Sequence, residues 1–427
     1  MTNAATIALR PPAGTGIRML PLAPLLLAAG ILIGGNALQV TLVALSGEAA
    51  GFSPAIIGFM GTSYFAGFFL GCLFITPVMR AVGHIRAFAA LAAIAACGSL
   101  IFAMAVDPVV WCLIRFVSGI CFAGLFTIVE GWINAVVENH NRARVLAVYR
   151  IVDISAATSA QFLIPLFGAS GFNVFAIMAI MITISLVPVS LGDRSNPVPP
   201  AVVKLDLKRA WFISPLAAFG CITVGVVNGA FRTVGPVYAQ SIGFSVADAV
   251  TFMSLGIVGG ALMQYPLGYL SDRGDRRLVL LAVTVCAMVV SFAMAMATTA
   301  GETVNLVLVF FYGAFAMTIY SLSVAHANDH ADKDSYVVLS AALLLFYACG
   351  AIVGPFVASL LADTFGPRAF FLFIASSYGV FVVFTLVRLQ MRGPAPTTGR
   401  FAAVFRTSPF MLRLSRRDSH PDDKNPS

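Results

Sequence analysis

The chain has 427 residues, of which 59% are hydrophobic and 10% charged, and its formal net charge is +8. A soluble chain of this length carries roughly a quarter charged residues, so a soluble globular protein is excluded. Apolar runs of about twenty residues, the length that crosses a bilayer as a helix, recur throughout and make this a polytopic membrane protein.

Twelve helices are predicted in chain order, at about 20–45, 55–79, 86–105, 109–135, 144–167, 172–191, 211–236, 247–270, 278–298, 304–326, 337–361 and 368–388. Residues 1–19 hold Arg10 and Arg18 and no acid, and the apolar run after them offers no small-residue cleavage site. With both termini in the cytoplasm, the N-terminal segment, the even-to-odd loops and the tail collect 22 of the 26 Lys and Arg. Arg368 falls on the opposite face, and Arg115, Arg150 and Arg232 lie inside helices. This positive-inside asymmetry sets the expected topology, a multi-pass protein of the cell (inner) membrane. It also accounts for the net charge, so no nucleic-acid partner is expected. The tail beyond Gln390 is basic and polar, with Arg413, Arg416 and Arg417 suited to anionic headgroups.

An internal repeat organises the chain. Asn36 and Asn228 stand 192 residues apart; Thr41 and Thr233 share that offset, as do the words Gly51-Phe52-Ser53 and Gly243-Phe244-Ser245. Gly119 and Asn134 match Gly313 and Asn328 at an offset of 194. The expected division is a cytoplasmic N-terminal segment (1–19), a six-helix bundle (20–191), a Pro-rich cytoplasmic loop (192–210), a second six-helix bundle (211–388) and a cytoplasmic basic tail (389–427). The seven cysteines all sit in apolar runs without a C-x-x-C pair, which reads as buried small side chains rather than disulfides or zinc ligands.

One loop breaks the apolar pattern: "GYLSDRGDRR", Gly268 to Arg277, places five charges in a short turn between helices eight and nine. It resembles the loop signature of the major facilitator superfamily, although Gly274 comes one position early and Asp275 takes the usual second-glycine place. Other words, "GHIRAFA" (83–89), "EGWINA" (130–135), "GPVYA" (235–239), "AHAND" (325–329) and "GAIVGPFVA" (350–358), are similar to the YcaD-like branch of that family. The resemblance covers essentially the whole chain. It implies an all-α fold of twelve transmembrane helices in two pseudo-symmetric six-helix bundles, and secondary transport by alternating access. It also implies a small-molecule substrate, the lipid bilayer as surroundings, function as a monomer, and no cofactor beyond an ion gradient, with protons the expected ion. The alternative is a sensor or lipid-handling protein that kept the fold without transporting; a polar central cavity with apposed half-sites discriminates in favour of transport.

Asp272 closes a helix, where a negative charge is unfavourable unless compensated. Arg273, Arg276, Arg277 or a neighbouring helix N-terminus would compensate it and make the loop, with Gly268, a latch; a mere cytoplasmic turn is the alternative. In the N-half the matching segment, Thr76 to Arg86, keeps Gly83 and Arg86 but puts Arg80 where the family has its acid. Glu130 is the expected partner for Arg80 or Arg86.

Ionisable groups inside spans cost about 2.5–3.5 kcal/mol on insertion scales, which makes them functional candidates. Asp153 is the one deep acid, three residues after Arg150, so the pair shares a helix face. It is either a proton-coupling carboxylate or half of a permanent ion pair. Arg115 in helix four is a candidate for modulating that acid or holding an anion, and Arg232 is read as snorkelling to the outer interface. The resemblance makes helices one, four, seven and ten the cavity lining, and hence Asn36, Gln39, Asn228, Arg115, Tyr312 and Tyr320 the polar cavity candidates. Gly350, Gly354 and Pro355 suggest a hinge in helix eleven, and Pro165 another in helix five. His326, Asp329 and His330 have metal-ligand chemistry, but no metal is expected at a helix end. No G-x-x-x-x-G-K or H-E-x-x-H word occurs, which argues against an ATP-driven pump and a zinc protease, and no enzymatic activity is expected.

Overall fold

A computed structural model describes residues 22–137, 142–191, 206–331 and 336–391. The predicted N-terminal segment, nearly all of the central loop and the tail beyond Met391 lie outside the described residues. All regular structure among the described residues is helical.

The N-half contains α1 (Ala23–Ala49), α2 (Pro54–Val82), α3 (His84–Met104), α4 (Pro108–Val136), α5 (Arg142–Gln161), α6 (Leu163–Phe167), α7 (Phe172–Ile184) and α8 (Leu186–Leu191). A short α9 (Leu207–Ile213) leads into the C-half: α10 (Pro215–Ser241), α11 (Val246–Arg273), α12 (Arg276–Met296), α13 (Glu302–Asp329), α14 (Tyr336–Phe365) and α15 (Arg368–Met391). Eleven spans among the described residues, one of them made of α7 and α8 together, are long and apolar enough to cross a membrane. The twelfth predicted span is α5 with α6, whose Arg150 and Asp153 make it the polar one.

Helix starts follow local chemistry. Pro54, Pro108 and Pro215 occupy first-turn positions that need no N–H, each after a capping Ser53, Asp107 or Ser214 whose side chain accepts a first-turn N–H. Ser245 and Asp248 close a reciprocal capping box on α11. Gly83, at φ 86°, turns the chain from α2 into α3, a backbone conformation that side chains with a Cβ disfavour.

Two predicted helices are broken rather than continuous, and proline is the reason. Pro165 lacks the N–H that would bond the Gln161 carbonyl, and α5 ends at Gln161. Pro188 stands in the same relation to Ile184, where α7 ends. The hinge expected in helix eleven is not seen as a break, since α14 runs through Pro355 unbroken. Its glycines serve close approach instead: a Cβ on Gly350 or Gly354 would overlap the Ile222 or Val226 carbonyl oxygen of α10.

The repeat is realised in packing. In the N-half α2 crosses α4 where Gly67 and Gly119 meet the backbone of the partner helix, Phe116 and Tyr64 respectively. In the C-half α11 crosses α13 where Gly259 meets the Phe310 backbone and Gly313 meets Gly256. The offsets of 192 and 194 read from the sequence thus mark one crossing built twice. Lipid tails are as apolar as leucine, so such close approach replaces hydrophobic burial as the force between helices.

Between the halves, contact concentrates at the ends that the positive-inside topology places outside. Gly58 of α2 packs directly on Ser359 and the Pro355 carbonyl of α14, and Gly61 packs on Thr233 of α10. Thr62 Oγ1 donates to the Ile352 carbonyl at 2.6 Å, and Phe59 meets Phe356 edge-on. Ala44, Ile57 and Val237 close the same end.

An added methyl at a helix crossing should therefore cost about 1–3 kcal/mol by overpacking. Gly259→Ala and Gly313→Ala are expected to lower the unfolding temperature of the detergent-solubilised protein. Gly131→Ala, where nothing lies within 4 Å, should leave it unchanged or raise it slightly. A uniform response at all three positions would contradict the crossing as described.

Candidate substrate cavity and charged-loop cluster

A cavity of about 200 Å³ lies between the halves and takes its walls from both. Asn36 and Asn228 face it. Each stands thirteen residues into its helix, a depth of about 20 Å at 1.5 Å per residue, so the repeat delivers two amides at one level. The Asn36 amide bonds the Tyr64 hydroxyl at 2.9 Å. Thr41 Oγ1 donates to Gln161 Oε1 at 3.0 Å, joining α1 to α5.

Arg150 and Asp153 also line the cavity. Arg150 Nη1 lies 2.7 Å from Asp153 Oδ2, with the two side chains 27% and 23% exposed. Arg150 Nη2 donates to Gln264 Oε1 of α11 at 2.8 Å, and Gln264 Nε2 donates to Ser321 Oγ of α13 at 3.0 Å. The expected ion pair is thus present, and it is extended across the interface between the halves.

Four expected cavity residues lie behind the wall. Arg115 is buried; its guanidinium stacks 4.2 Å over the Tyr64 ring, and Nη1 donates to Gln39 Oε1 at 3.0 Å. A desolvated guanidinium needs an acceptor and a π-face, and Gln39 and Tyr64 provide them inside the N-half. That contact engages Gln39 Oε1, while its Nε2 is a buried donor without an acceptor. Tyr312 is fully buried against Phe231 and Phe371, and Tyr320 against Tyr347, because these faces of α13 turn into the C-half core.

The cavity in turn contains residues that sequence reasoning passed over. Tyr64, Gln161, Gln264 and Tyr347 line it from helices outside the expected set. Arg232 also lines it instead of snorkelling outward, facing inward beside Phe231 on α10. A signal for Arg232 existed in its spacing: it follows Asn228 by four residues and so shares its helix face.

At the end of the C-half where α11 meets α12 the charged loop forms a compact cluster. Arg276 Nη2 lies 2.7 Å from Asp272 Oδ1, and its Nε lies 3.2 Å from Asp329 Oδ2. Arg276 and Asp329 are 4% and 6% exposed, so this ion pair is withdrawn from water. It ties the end of α11, the start of α12 and the end of α13 together. Of the expected compensators of Asp272, Arg276 is in place. Arg273 stacks over Tyr269 at 4.3 Å, and Gly268 is buried in α11. Arg277 grips Asp275, the cap of α12, at 2.8 Å. Hydrogen bonding from Arg277 holds the Asp275 carboxyl below its usual range. That contribution is complete above the ordinary value of 3.8 and is lost only as pH falls further, through the lowered value.

In the N-half His84 takes the place of Arg276 and is buried against Trp132. Glu130 is fully buried, and its Oε1 accepts from the Tyr149 hydroxyl of α5 at 3.0 Å. Arg80 and Arg86, its expected partners, lie on exposed positions. Among the described residues no cluster of His, Cys, Asp and Glu could hold a metal, and Asp329 serves Arg276 instead.

Two six-helix halves around a central cavity lined by both define the architecture of a secondary membrane transporter. The chain belongs to the major facilitator superfamily, whose family model, described as Major Facilitator Superfamily, matches residues 25–348. It is similar to proteins named uncharacterized MFS-type transporter YcaD from Salmonella heidelberg (strain SL476) and Salmonella newport (strain SL254). Each is 28% identical over 382 residues, covering 87% of this chain and 96% of the relative. Its fold is similar to the crystal structure of the nucleoside transporter NupG (TM-score 0.74, 14% identity, 87% of this chain and 100% of that one). The same holds for a bacterial homolog of the human lysosomal transporter Spinster, in an inward-facing and occupied conformation. There the TM-score is 0.68 at 15% identity, over 95% of this chain and 100% of the other. A D-xylose-proton symporter is also similar (TM-score 0.67, 15% identity, 89% and 98%). This membership makes the protein a multi-pass transporter of the membrane and not an enzyme.

Removing one member of a buried, shared ion pair strands the others, at a cost of about 3–5 kcal/mol. Arg276→Gln should therefore lower thermal stability in detergent far more than Arg273→Gln, which removes an exposed cation–π contact worth about 0.5–1 kcal/mol. Equal losses would mean that the cluster holds nothing together.

Proposed function

We propose that the protein is a proton-coupled secondary transporter of a small solute. It works by alternating access between the two halves, in the cell (inner) membrane with both termini cytoplasmic. The observation that carries this reading is the cavity itself, fed by both halves and furnished, within a largely apolar wall, with matched asparagines and the Arg150–Asp153 pair. A fold kept for sensing has no need of such apposed half-sites. The packing of α2 on α10 and α14 supports a resting state closed at the outer end and entered from the cytoplasm. The Arg276 cluster and the N-half segment around Gly83 are the latches that steady the inner ends.

Asp153 is the proton site in this reading. It is the one acid in the cavity lining, and its charge is balanced by an arginine that also holds the opposite half through Gln264. Protonation would remove the charge that Arg150 answers and loosen or redirect the bridge. The cycle then couples a proton to the exchange of partners at one guanidinium.

Purified protein in liposomes, offered a panel of radiolabelled metabolites and drugs with and without an imposed pH gradient, tests this. Gradient-driven accumulation of at least one solute is expected. Asp153→Asn should abolish the dependence on the gradient while leaving exchange of solute across the membrane. Accumulation in Asp153→Asn that responds to the gradient as in the wild type would overturn the assignment.

A further inference from the structure

Of the charges in the cavity, one has no counterpart. Asp153 is the acid among the lining residues, and Arg150 holds it at 2.7 Å. Arg232 faces the same cavity with no ion pair and no hydrogen bond among the described residues, and its side chain is exposed there rather than packed. A second, independent group points the same way. Asn228, 3% exposed, also lines the cavity, and its Nδ2 is a buried donor without an acceptor. The two are four residues apart on α10, hence on one face and about 6 Å apart along the axis.

A buried donor beside an unpaired guanidinium is a site that lacks an acceptor. The charged acceptor among the described lining residues, Asp153, is held by Arg150. Arg115 lies behind Tyr64 and adds a second positive charge, and Tyr64 lies within electrostatic reach of both arginines. Asn36, the pseudo-equivalent amide, is engaged by Tyr64. Around this outer part of the cavity Phe65, Phe231 and Met253 supply an apolar wall. A guanidinium takes a carboxylate through two parallel hydrogen bonds, which an amide donor one turn away can supplement.

We infer that Arg232 and Asn228 form an anion clamp, and that the solute is a small organic monoanion whose acidic group docks there while its apolar body lies against the aromatic wall. The cavity of about 200 Å³ lies near the lower end of ligand-pocket sizes, which suits a small solute. The inference builds on the transport reading of the same cavity and adds the charge class of what is carried. It also gives Arg150–Asp153 and Arg232 separate tasks, proton and solute, at two levels of one cavity.

The test is binding to the purified full chain by isothermal titration calorimetry at pH 7, with three matched pairs of probes: lactate and lactamide, benzoate and benzamide, benzenesulfonate and benzenesulfonamide. At least one anion is expected to bind at least tenfold more tightly than its neutral amide. Arg232→Gln should weaken that anion at least tenfold and erase its advantage over the amide, and Arg232→Lys should retain part of it. Asn228→Ala should weaken it several-fold, and it decides the matter with the wild-type preference should Arg232→Gln fail to fold. Binding of none of the three anions, equal binding of anion and amide, or undiminished anion binding in Arg232→Gln overturns the clamp. The same solutes in liposomes separate the two readings. Arg232-dependent anion binding without flux would remove the transport reading and leave the clamp, whereas flux of the amides with no preference for the anions would do the reverse.

Discussion

A polar group inside the hydrocarbon must find its partner within the protein, and most of this structure follows from that one demand. The backbone meets it through its spans, since all regular structure among the described residues is helical. The side chains meet it in three clusters. Arg115 is answered by Gln39 and the Tyr64 ring, Arg150 by Asp153 and Gln264, and Arg276 by Asp272 and Asp329. Each cluster joins helices that are distant in sequence, so satisfying the charge and fixing the helix are one event. The fifth span, α5 with α6, is the clearest case, because α5 is held by what it bonds and not by how apolar it is.

The two halves share a skeleton and differ in electrostatics. Their glycine crossings coincide under the repeat, Gly67 with Gly259 and Gly119 with Gly313, since a backbone-to-backbone approach admits no other side chain. Their charged loops do not coincide: Arg80 replaces Asp272 and His84 replaces Arg276. The C-half consequently closes its inner end with an ion-pair cluster. The N-half buries His84 against Trp132 and sets Glu130 against the Tyr149 hydroxyl. Duplicated geometry therefore carries unlike chemistry at its two inner ends, as a machine whose halves move against each other requires only of its interfaces.

Much of this was legible in the sequence because its signals are collective. Span length, the distribution of Lys and Arg, the repeat and the charged loop each draw on many residues, and the fold and the family follow from them. The level of Asn36 and Asn228 was legible for the same reason, as was the Arg150–Asp153 pair from its spacing. Which way a helix faces was not. Arg115 and Arg232 are both arginines in apolar helices, yet one is sealed behind Tyr64 and the other opens on the cavity. The difference arises from neighbours on other helices, Gln39 and Tyr64 for Arg115, and no local pattern encodes it. Tyr312 and Tyr320 failed as cavity candidates on the same ground, for their rings answer Phe231, Phe371 and Tyr347 across the C-half. The break at Phe162 was legible from Pro165; the break at Ser185, three residues before Pro188, has the same cause but a hydropathy window runs across it.

The arrangement of these clusters bears on how the halves can move. At the outer end the halves meet through glycines on Ser359 and Thr233, contacts of shape that a rocking motion breaks together. Deeper in, they meet through Arg150 and Gln264, a contact of charge whose strength depends on what else Arg150 must hold. A guanidinium shared between an acid of its own helix and an amide of the opposite half links the charge state of Asp153 to the attachment of α5 to α11. In the proposed cycle the acid need not touch the solute, a task the inferred clamp gives to Arg232 and Asn228 of the opposite half. Coupling by this route is a competition for the donors of one side chain, and the low dielectric around it sharpens that competition.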